Sequence, residues 1–459
     1  MNSLLSNNKH LHFIGIGGIG MSGMAELLYN HGFKISGSDL NISNRTKHLE
    51  KYKDVKIKYN HEKENIDGCD LVIYSSAINK ENLELQEAHK NNIPIMKRAE
   101  LLGEIIKIKD ISVAISGTHG KTTTSSMLGS ILHDSQKDPT LIIGGIVNKF
   151  NSNNITGEGN IIVVEADEFD KSFLALSPTH AIINNIDLEH LDIYKDIEDL
   201  LKSFTDFSNS IAFYGKIAFN NDSKNINKII NKINKPKISF GIKNKSDIIA
   251  KNISFDEEKT LFEIYFSNNK KTINIQLNCP GMHNVYNALA ATAIAHELGI
   301  NNNNIIKGLK KYSGVKRRFE IKYQKETMIV DDYAHHPEEI IETIKAARNG
   351  WKKKIVTIFQ PHLYSRTKEF YKEFGYALDK SDVTIITDIF PSREKPIKGI
   401  SSKLIFDEID NENKYYISSK NKIVEKIQNI ISKGDMILIM GAGDINSIIE
   451  PLKEKIEKC

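Results

Sequence analysis

The segment Gly117–Thr122 has the residue types and spacing that hold a triphosphate. It follows the apolar run Ile111–Ser116, which predicts a β-strand, and it precedes a helical pattern. At such a junction the backbone N–H groups and the helix N-terminus face the phosphates, Lys121 adds a positive charge, and the Thr122 hydroxyl can ligate Mg²⁺. The first glycine of a complete P-loop pattern is missing, because Ile115 stands in its place. An ordinary strand–turn–helix junction is therefore the alternative.

Acidic residues follow a second apolar strand, which is predicted over Ile161–Val164. They are Glu165, Asp167 and Glu168. In nucleotide-binding α/β domains a carboxylate at such a strand end ligates a metal ion or its bound water. A solvated acidic loop is the alternative.

Two further motifs carry polar groups that are compatible with a nucleotide site. His190 follows a strand predicted over Ala181–Asn184; alone, such a histidine is more often structural than a ligand. His283, Asn284 and Asn287 lie near the start of an Ala-rich helix and could meet a base. Without other evidence this helix would be a core helix with a polar cap.

A glycine pattern near the N-terminus indicates a diphosphate site. Residues 15–20 match GxGxxG between a strand predicted over Leu11–Gly15 and a helix predicted over Met21–Asn30, and Asp39 ends the next strand. Such glycines let a pyrophosphate approach the backbone and a helix N-terminus. The generic interpretation is an NAD-binding domain, although one GxGxxG is weak evidence. Ser75 and Ser76 end a further predicted strand.

The motifs occur in a characteristic order along the whole chain. Gly117–Thr122, Glu165–Glu168 and the helix with His283 are followed by Arg317–Glu320 and then by Asp331–Pro337. In this order they resemble the Mur ligases. The resemblance implies an enzyme that uses ATP and Mg²⁺ to activate a carboxylate as an acyl phosphate, which an amine then attacks to form an amide bond.

The resemblance also implies roles for individual residues. The implied ATP-binding residues are Gly117, Thr118, His119, Gly120, Lys121, Thr122, Thr123, His283, Asn284, Asn287, Arg318 and Asp332. The implied UDP-sugar contacts are Gly15, Gly17, Gly18, Gly20, Asp39, Ser75 and Ser76. The implied metal ligands are Thr122, Glu165 and His190, and the catalytic residues are Lys121, Arg318, His335 and His336. The amino-acid site is expected to contain Tyr333, His335 and Arg366. A surface turn for the two histidines and a helix-start cation for Arg366 are the alternatives.

Within the family, the first domain favours one substrate pair. Gly15–Gly20 and the following Met21–Glu26 are similar to the member that joins L-alanine to UDP-N-acetylmuramate in peptidoglycan precursor synthesis. The ligase that recycles murein tripeptide is the nearest alternative. An NAD-dependent oxidoreductase would leave Gly117–Thr122 unexplained, and a nucleotide-switched binding protein would bind ATP or GTP without turnover that depends on a muropeptide precursor.

The elements that must position these residues form an α/β pattern, since short apolar runs alternate with helix-period segments. We expect three domains: a Rossmann-like UDP-sugar domain over residues 1–110, a central P-loop-type ATP domain with a mixed sheet over 111–320, and a Rossmann-like C-terminal domain over 321–459. The C-terminal domain is expected to bind the amino acid and to close on ATP. A β-rich insert is predicted over Asp247–Leu277.

Composition excludes several classes of protein. The 62 basic and 58 acidic residues give a net charge of only +4, which does not suggest binding to nucleic acid. The three cysteines are widely spaced, and this indicates a reducing compartment. The N-terminal residues lack an apolar region followed by a small-residue cleavage site, and no stretch of about 18 apolar residues exists, so we expect neither a signal peptide nor a membrane span. We expect a cytoplasmic protein that is a monomer or a weak homodimer.

Overall fold

Residues 9–187, 193–392 and 394–457 are described by a computed structural model, and they form three β-sheets with flanking helices. The chain divides into two compact units. The first unit contains residues up to 250 together with 264–273 and 286–312. The second contains residues 251–263, 274–285 and those from 313 onward.

The first sheet is parallel and has the strand order β3-β2-β1-β4-β5. Strands β1 to β5 run over His10–Ile14, Lys34–Ser38, Lys56–Lys58, Leu71–Tyr74 and Ile95–Lys97. Helices α1 to α4 run over Ile19–Asn30, Asn44–Leu49, Leu83–Lys90 and Arg98–Ile105. The strand order reverses between β1 and β4, and in open α/β sheets ligands bind outside the strand ends at such a point. Gly15 follows β1 at this point, and a Cβ atom added to it would lie 3.6 Å from Ser75 Oγ, just after β4.

The second sheet is mixed and has the order β15-β14-β13-β12-β11-β10-β6-β9-β7-β8. Strands β6 to β15 run over Ile111–Ser116, Thr140–Val147, Ser152–Ile155, Ile161–Glu165, His180–Ile183, Ile217–Asn220, Lys237–Gly241, Ile248–Asp256, Lys259–Phe266 and Lys271–Leu277. Helices α5 to α9 run over Lys121–Asp134, Ile197–Asn209, Lys224–Ile229, Met282–Glu297 and Asn302–Lys310. β6 lies between β9 and β10 and is parallel to both. Its residues from Ser112 to Ser116 are buried, as expected for a parallel strand that is covered on both faces.

The third sheet lies in the second unit and has the order β16-β17-β21-β18-β19-β20. Strands β16 to β21 run over Glu320–Gln324, Met328–Asp332, Ile355–Phe359, Val383–Ile386, Lys414–Tyr416 and Met436–Met440. Helices α10 to α14 run over Pro337–Gly350, Tyr364–Leu378, Lys403–Asp407, Lys420–Lys426 and Ile449–Glu457. The edge strand β16 is antiparallel to β17, whereas the other pairs are parallel.

The α/β class and the mixed central sheet are confirmed. The predicted strand Ile111–Ser116 has the observed bounds, and the predicted β-rich insert corresponds to β13, β14 and β15. β1 ends at Ile14, one residue before its predicted end, because Gly15 turns the chain with φ of +78°. The domain boundaries near residues 110 and 320 stay predictions.

Candidate active site

A sharp turn joins β6 to α5, and its glycines adopt backbone conformations that favour glycine. Gly117 has φ of +136° and Gly120 has φ of +81°. A Cβ atom added at Gly120 would overlap with Asn287 Oδ1 and lie 3.0 Å from Asn184 Nδ2. Because α5 begins at Lys121, the turn leads directly into the helix end whose first N–H groups lack helical partners. Such a helix end can bind an anion.

Lys121 folds back over this turn. Its Nζ donates to Gly117 O at 2.7 Å and lies 2.8 Å from Glu168 Oε2 and 3.9 Å from Asp167 Oδ1. Glu168 is buried, and burial raises the pKa of its carboxyl while the charge of Lys121 opposes that rise. Tyr194 donates to Glu168 O at 2.6 Å and so holds the backbone of the acidic segment. The structure therefore brings Glu168 to Lys121, a pairing that the sequence did not predict.

Glu165 lies at the end of β9, beside β6. Gly144 N donates to its Oε1 at 2.7 Å, and the Thr122 hydroxyl also hydrogen-bonds to its carboxylate. Burial raises the pKa of Glu165, whereas the Gly144 N–H, the Thr122 hydroxyl and the Lys121 charge oppose the rise. A carboxylate and a hydroxyl now stand together at the start of α5. These hard oxygen donors are the type that Mg²⁺ prefers.

A buried amide network supports the turn from below. Thr124 Oγ1 donates to Asn287 Oδ1 at 3.1 Å, and Asn184 Nδ2 donates to Thr124 Oγ1 at 3.0 Å. Asn185 Oδ1 accepts from His119 N at 2.7 Å. Asn287 was predicted to bind ATP; the structure places its side chain beneath the turn, where it supports the loop.

The other predicted residues near this turn differ in their contacts and exposure. Thr118 Oγ1 accepts from Asp187 N at 2.8 Å, which ties the turn to the segment after β10. Thr123 lies in the first turn of α5, and Asp167 is about half-exposed. His190, the third predicted metal ligand, lies outside the described residues.

The N-terminal glycine turn satisfies most of its own N–H groups. Gly15 N and Ile16 N both donate to Ser38 O, at 2.8 and 3.0 Å, and Gly18 N donates to Gly15 O at 3.2 Å. Gly17 N donates to Asp39 Oδ2 at 2.9 Å. A diphosphate at this turn must therefore use the N–H groups of residues 19–21, which precede the first helical hydrogen bond from Ser22 N to Gly18 O.

Two side chains complete this N-terminal turn. The Asp39 carboxylate accepts from Gly17 N and, at 3.0 Å, from Asn41 N, so it anchors the loop as well as standing at the predicted sugar site. Arg98, at the start of α4, lies against the first turn of α1, and its Nη1 would be 3.4 Å from a Cβ atom added at Gly20. Arg98 was not predicted from the sequence, because α4 has no motif and begins 78 residues after Gly20.

In the second unit, Asp332 ends β17 with a buried carboxylate. Phe319 N and Ala334 N donate to its two oxygens at 2.9 and 2.8 Å, and Thr343 Oγ1 donates at 3.3 Å. Burial raises the pKa of Asp332 to about 6, and the Arg318 charge opposes this rise. The carboxylate thus holds the chain before β16 against the turn after β17.

The two arginines before β16 face Tyr333. Arg317 donates to Gly441 O at 2.5 Å, and its guanidinium carbon lies 5.0 Å from the Tyr333 ring centre. Arg318 lies 5.4 Å from the same ring centre, and its Nη1 is 3.4 Å from Glu339 Oε1. The glycine-rich turn after β21 therefore anchors Arg317, while Arg318 is the arginine predicted to contact ATP.

The adjacent histidines His335 and His336 lie in different environments. His335 Nδ1 lies 2.8 Å from Tyr333 O, and burial, opposed by Glu339 and assisted by the Arg366 charge, lowers the pKa of His335 to about 4. His336 is buried, with its ring centre 5.0 Å from that of Phe370. The charge of Arg366 therefore acts on His335, whereas His336 packs against Phe370. The predicted amino-acid site stays a prediction.

Two of the predicted base-contacting residues at the start of α8, His283 and Asn284, lie in the second unit. Asn284 Nδ2 donates to Pro280 O at 2.6 Å. His283 Nδ1 is 4.0 Å from Glu342 Oε2, and burial lowers the pKa of His283 while the Glu342 charge opposes this change. Both side chains are therefore engaged with protein groups of that unit.

Family models of the Mur ligases match almost the whole chain. The model of the Mur ligase family catalytic domain matches residues 10–109, that of the Mur ligase middle domain matches 115–295, and that of the Mur ligase glutamate ligase domain matches 317–443. The fold is that of an ATP-dependent ligase with three α/β domains. The chain belongs to the Mur ligase family.

The chain is similar to members of this family that act on one pair of substrates. A UDP-N-acetylmuramate–L-alanine ligase from Clostridium kluyveri is 45% identical over 448 residues, which cover 96% of this chain and 97% of the relative. One from Syntrophus aciditrophicus is 41% identical over 98% of this chain and 94% of its own length. The crystal structure of a UDP-N-acetylmuramate–alanine ligase from Thermotoga maritima matches with a TM-score of 0.81 and 28% identity, over 98% of this chain and 99% of that chain. The interpretation as an NAD-dependent oxidoreductase is not supported by these relatives.

Within the described residues, no helix is both long and apolar enough to cross a lipid bilayer.

Proposed function

We propose that this chain joins the amino group of L-alanine to the carboxylate of UDP-N-acetylmuramate at the expense of ATP. In the first step a carboxylate oxygen bonds to the γ-phosphorus of ATP, and ADP leaves. In the second the alanine amine attacks the acyl carbon of the acyl phosphate; the amide bond forms, and inorganic phosphate and a proton are released. The observation that carries the proposal is the turn at Gly117–Gly120 with Lys121 beside it, within a chain whose full-length relatives are ligases of this kind.

The phosphate turn fits a nucleotide with its metal ion. The first step brings a carboxylate to a polyphosphate, so negative charge must be neutralised on both. Thr122 and Glu165 would hold Mg²⁺, because their hydroxyl and carboxylate oxygens already lie together at the start of α5. When bound, Mg²⁺ supplies positive charge to the phosphate oxygens.

Lys121 provides a positive charge at the same place. Its ammonium is shared between the Gly117 carbonyl and the Glu168 carboxylate, and both interactions lie at the mouth of the turn. A phosphate placed at the first N–H groups of α5 competes with these acceptors for the ammonium. Glu168 thereby holds the Lys121 ammonium at the turn before the nucleotide binds.

The UDP-sugar is proposed to bind at the first turn of α1. The N–H groups of residues 19–21 precede the first helical hydrogen bond of α1, and Arg98 adds a cation beside Gly20. Among the described residues no carboxylate forms an ion pair with Arg98, which leaves its charge for a diphosphate. Ser75 stands at the same switch point of the sheet.

The amino acid is proposed to bind in the second unit near Tyr333, His335 and Arg366. Burial, assisted by the charge of Arg366, lowers the pKa of His335 and keeps that imidazole neutral at physiological pH. A guanidinium is suited to the carboxylate of L-alanine. Roles for Arg318 and Asp332 at ATP, a cytoplasmic location and a monomer or weak homodimer belong to the same proposal.

The direct test is phosphate release with ATP, Mg²⁺ and UDP-N-acetylmuramate, with L-Ala, Gly, L-Ser or a murein tripeptide as the acceptor. We expect the highest kcat/KM with L-Ala, and no release when the UDP-sugar is omitted. Release that responds to the tripeptide and not to L-Ala would instead identify a recycling ligase.

Lys121→Met tests the phosphate site. We expect turnover to be lost while the dissociation constant of the UDP-sugar changes less than about threefold, because the sugar site lies in the first domain. The double variant Lys121→Met/Glu168→Gln also removes the buried Glu168 carboxylate that would otherwise lose its cation, and urea unfolding of this variant separates loss of turnover from loss of stability. Lys216→Met is the matched control, since it removes an ion pair of 2.7 Å with Glu297 in the same unit, away from the turn. Equal losses of sugar affinity and turnover would contradict the assignment of separate sites.

A further inference from the structure

Two adjacent asparagines in β8 fasten the second sheet to helix α1. Asn154 Nδ2 donates to Gly23 O at 2.9 Å and is buried between the helix and the strand. Asn153 Nδ2 donates to Ile19 O at 3.2 Å and to Ile143 O at 3.4 Å. Ile19 belongs to the first turn of α1, where the diphosphate is proposed to bind.

The second acceptor of Asn153 is linked through one peptide group to Glu165, the carboxylate that is proposed to bind the metal. The Ile143 carbonyl belongs to the same peptide group as the Gly144 N–H, and in a trans peptide these two groups point in opposite directions. The Gly144 N–H donates to Glu165 Oε1 at 2.7 Å. A continuous line of hydrogen bonds therefore runs from Ile19 through Asn153 and this peptide group to Glu165.

The carboxamide is suited to this position by its chemistry. Its NH₂ group has two hydrogens, so one side chain can donate to two carbonyl oxygens at once. A carboxylate of the same shape has no hydrogen to donate, and its oxygens would be repelled by the two carbonyl oxygens. An alanine would leave both carbonyls without this partner.

We infer that Asn153 is a positioning residue, which holds the first turn of α1 at a defined place relative to the Glu165 carboxylate. The inference rests on the proposed function, because that function assigns the sugar diphosphate to one end of the line and the metal to the other. Reaction between the sugar carboxylate and the γ-phosphate requires the reacting atoms to be about 3–3.5 Å apart, and a misplacement of about 1 Å can cost a factor of about 100 in rate.

Asn153→Ala tests this role through a separation of kcat from binding. We expect kcat for phosphate release to fall by about tenfold or more. The dissociation constant of the UDP-sugar, measured by calorimetry without ATP, and the KM for ATP should each stay within about threefold, because each ligand keeps its own contacts. Asn153→Asp keeps the shape of the side chain but removes both donors, and its kcat should fall at least as far.

Asn411→Ala is the matched control. Asn411 Nδ2 also donates to two backbone carbonyls, those of Ser381 at 3.0 Å and Asp382 at 3.2 Å, but it lies in the second unit. This variant should lower the thermal unfolding midpoint by a similar amount and leave kcat unchanged.

Three results would overturn the inference. They are a kcat for Asn153→Ala within twofold of the unsubstituted chain, an equal loss of kcat in Asn411→Ala, and a loss of sugar affinity as large as the loss of kcat. The last result would make Asn153 a ligand contact. If instead the unsubstituted chain releases no phosphate with UDP-N-acetylmuramate and L-Ala, the proposed function itself fails.

Discussion

Replacing Gly120 by alanine should disable the phosphate turn by a mechanism that the structure makes specific. Gly120 is the N-cap of α5 and has φ of +81°, a conformation that L side chains rarely adopt. Its added Cβ atom would also overlap with Asn287 Oδ1. Asn287 would have to move, and it would then release the hydroxyl of Thr124, which donates to it at 3.1 Å.

The loss of stability in Gly120→Ala is the sum of two effects. Forcing a residue with a Cβ atom into the left-handed region costs roughly 1–2 kcal/mol. Breaking a buried hydrogen bond so that its partners are left unsatisfied costs roughly 1–3 kcal/mol. Gly120→Ala should therefore lower the free energy of unfolding by about 2–5 kcal/mol.

Gly299→Ala separates these two effects. Gly299 follows α8 with φ of +75°, and no atom lies within 4 Å of a Cβ atom built there. Its replacement should cost only the backbone term of roughly 1–2 kcal/mol. Because Gly299 is not part of the turn, this variant should bind ATP as the unsubstituted chain does.

Urea unfolding would measure the stabilities, and calorimetric titration with ATP and Mg²⁺ would measure the affinities. We expect ATP affinity to fall at least about tenfold in Gly120→Ala, which corresponds to about 1.4 kcal/mol, and not in Gly299→Ala. The reasoning is refuted if the two variants lose equal stability, or if Gly120→Ala binds ATP normally.

Two further predictions concern the sugar site and the third sheet. Arg98→Met should weaken UDP-sugar binding about 10- to 100-fold in calorimetry, because a charge-assisted hydrogen bond is worth roughly 1.5–3 kcal/mol. Replacement of the neighbouring exposed lysine, Lys97→Met, should leave the affinity unchanged. Equal effects of the two variants would contradict the assignment of Arg98 to the sugar site. Asp332 has its pKa raised from 3.8 to about 6, so its contribution to stability is fully present below pH 4 and is lost as the pH rises through about 6. The change is about 3 kcal/mol over that window. The side chain of Asp332→Asn cannot titrate. In urea unfolding, the unsubstituted chain should therefore lose stability relative to this variant between pH 4.5 and 7. A difference in the free energy of unfolding that stays constant over this range would show that the buried carboxyl keeps an ordinary pKa.

The local motifs were predictable because their geometry depends on neighbouring residues. Gly117–Thr122 is a run in which glycines permit positive φ and the next residue starts a helix, and the bounds of β6 follow from its apolar residues. The α/β class follows in the same way from the alternation of apolar runs and helical patterns. The short polar strand β8, Ser152–Ile155, was not predicted, since its residues carry no strand signal and depend on pairing with β7.

Asp39 and Arg98 illustrate what motif matching could not provide. Asp39 follows a strand, as a ribose-binding residue does in dinucleotide folds, yet its carboxylate also accepts from Gly17 N. Arg98 has no motif of its own. Its position beside Gly20 results from the packing of α4 against β4 and β5, and sequence distance does not reveal this position.

The sequence by itself determined the order of the motifs and the kinds of groups available: glycines and a lysine for phosphate, carboxylates for a metal, and a second glycine turn for a diphosphate. Only the tertiary structure decided which of these groups meet. Glu168 reaches Lys121 across 47 positions of sequence, and Asn287 reaches Thr124 across 163. Such contacts depend on strand order and register, which bring distant residues to the same edge of a sheet and which no local pattern encodes.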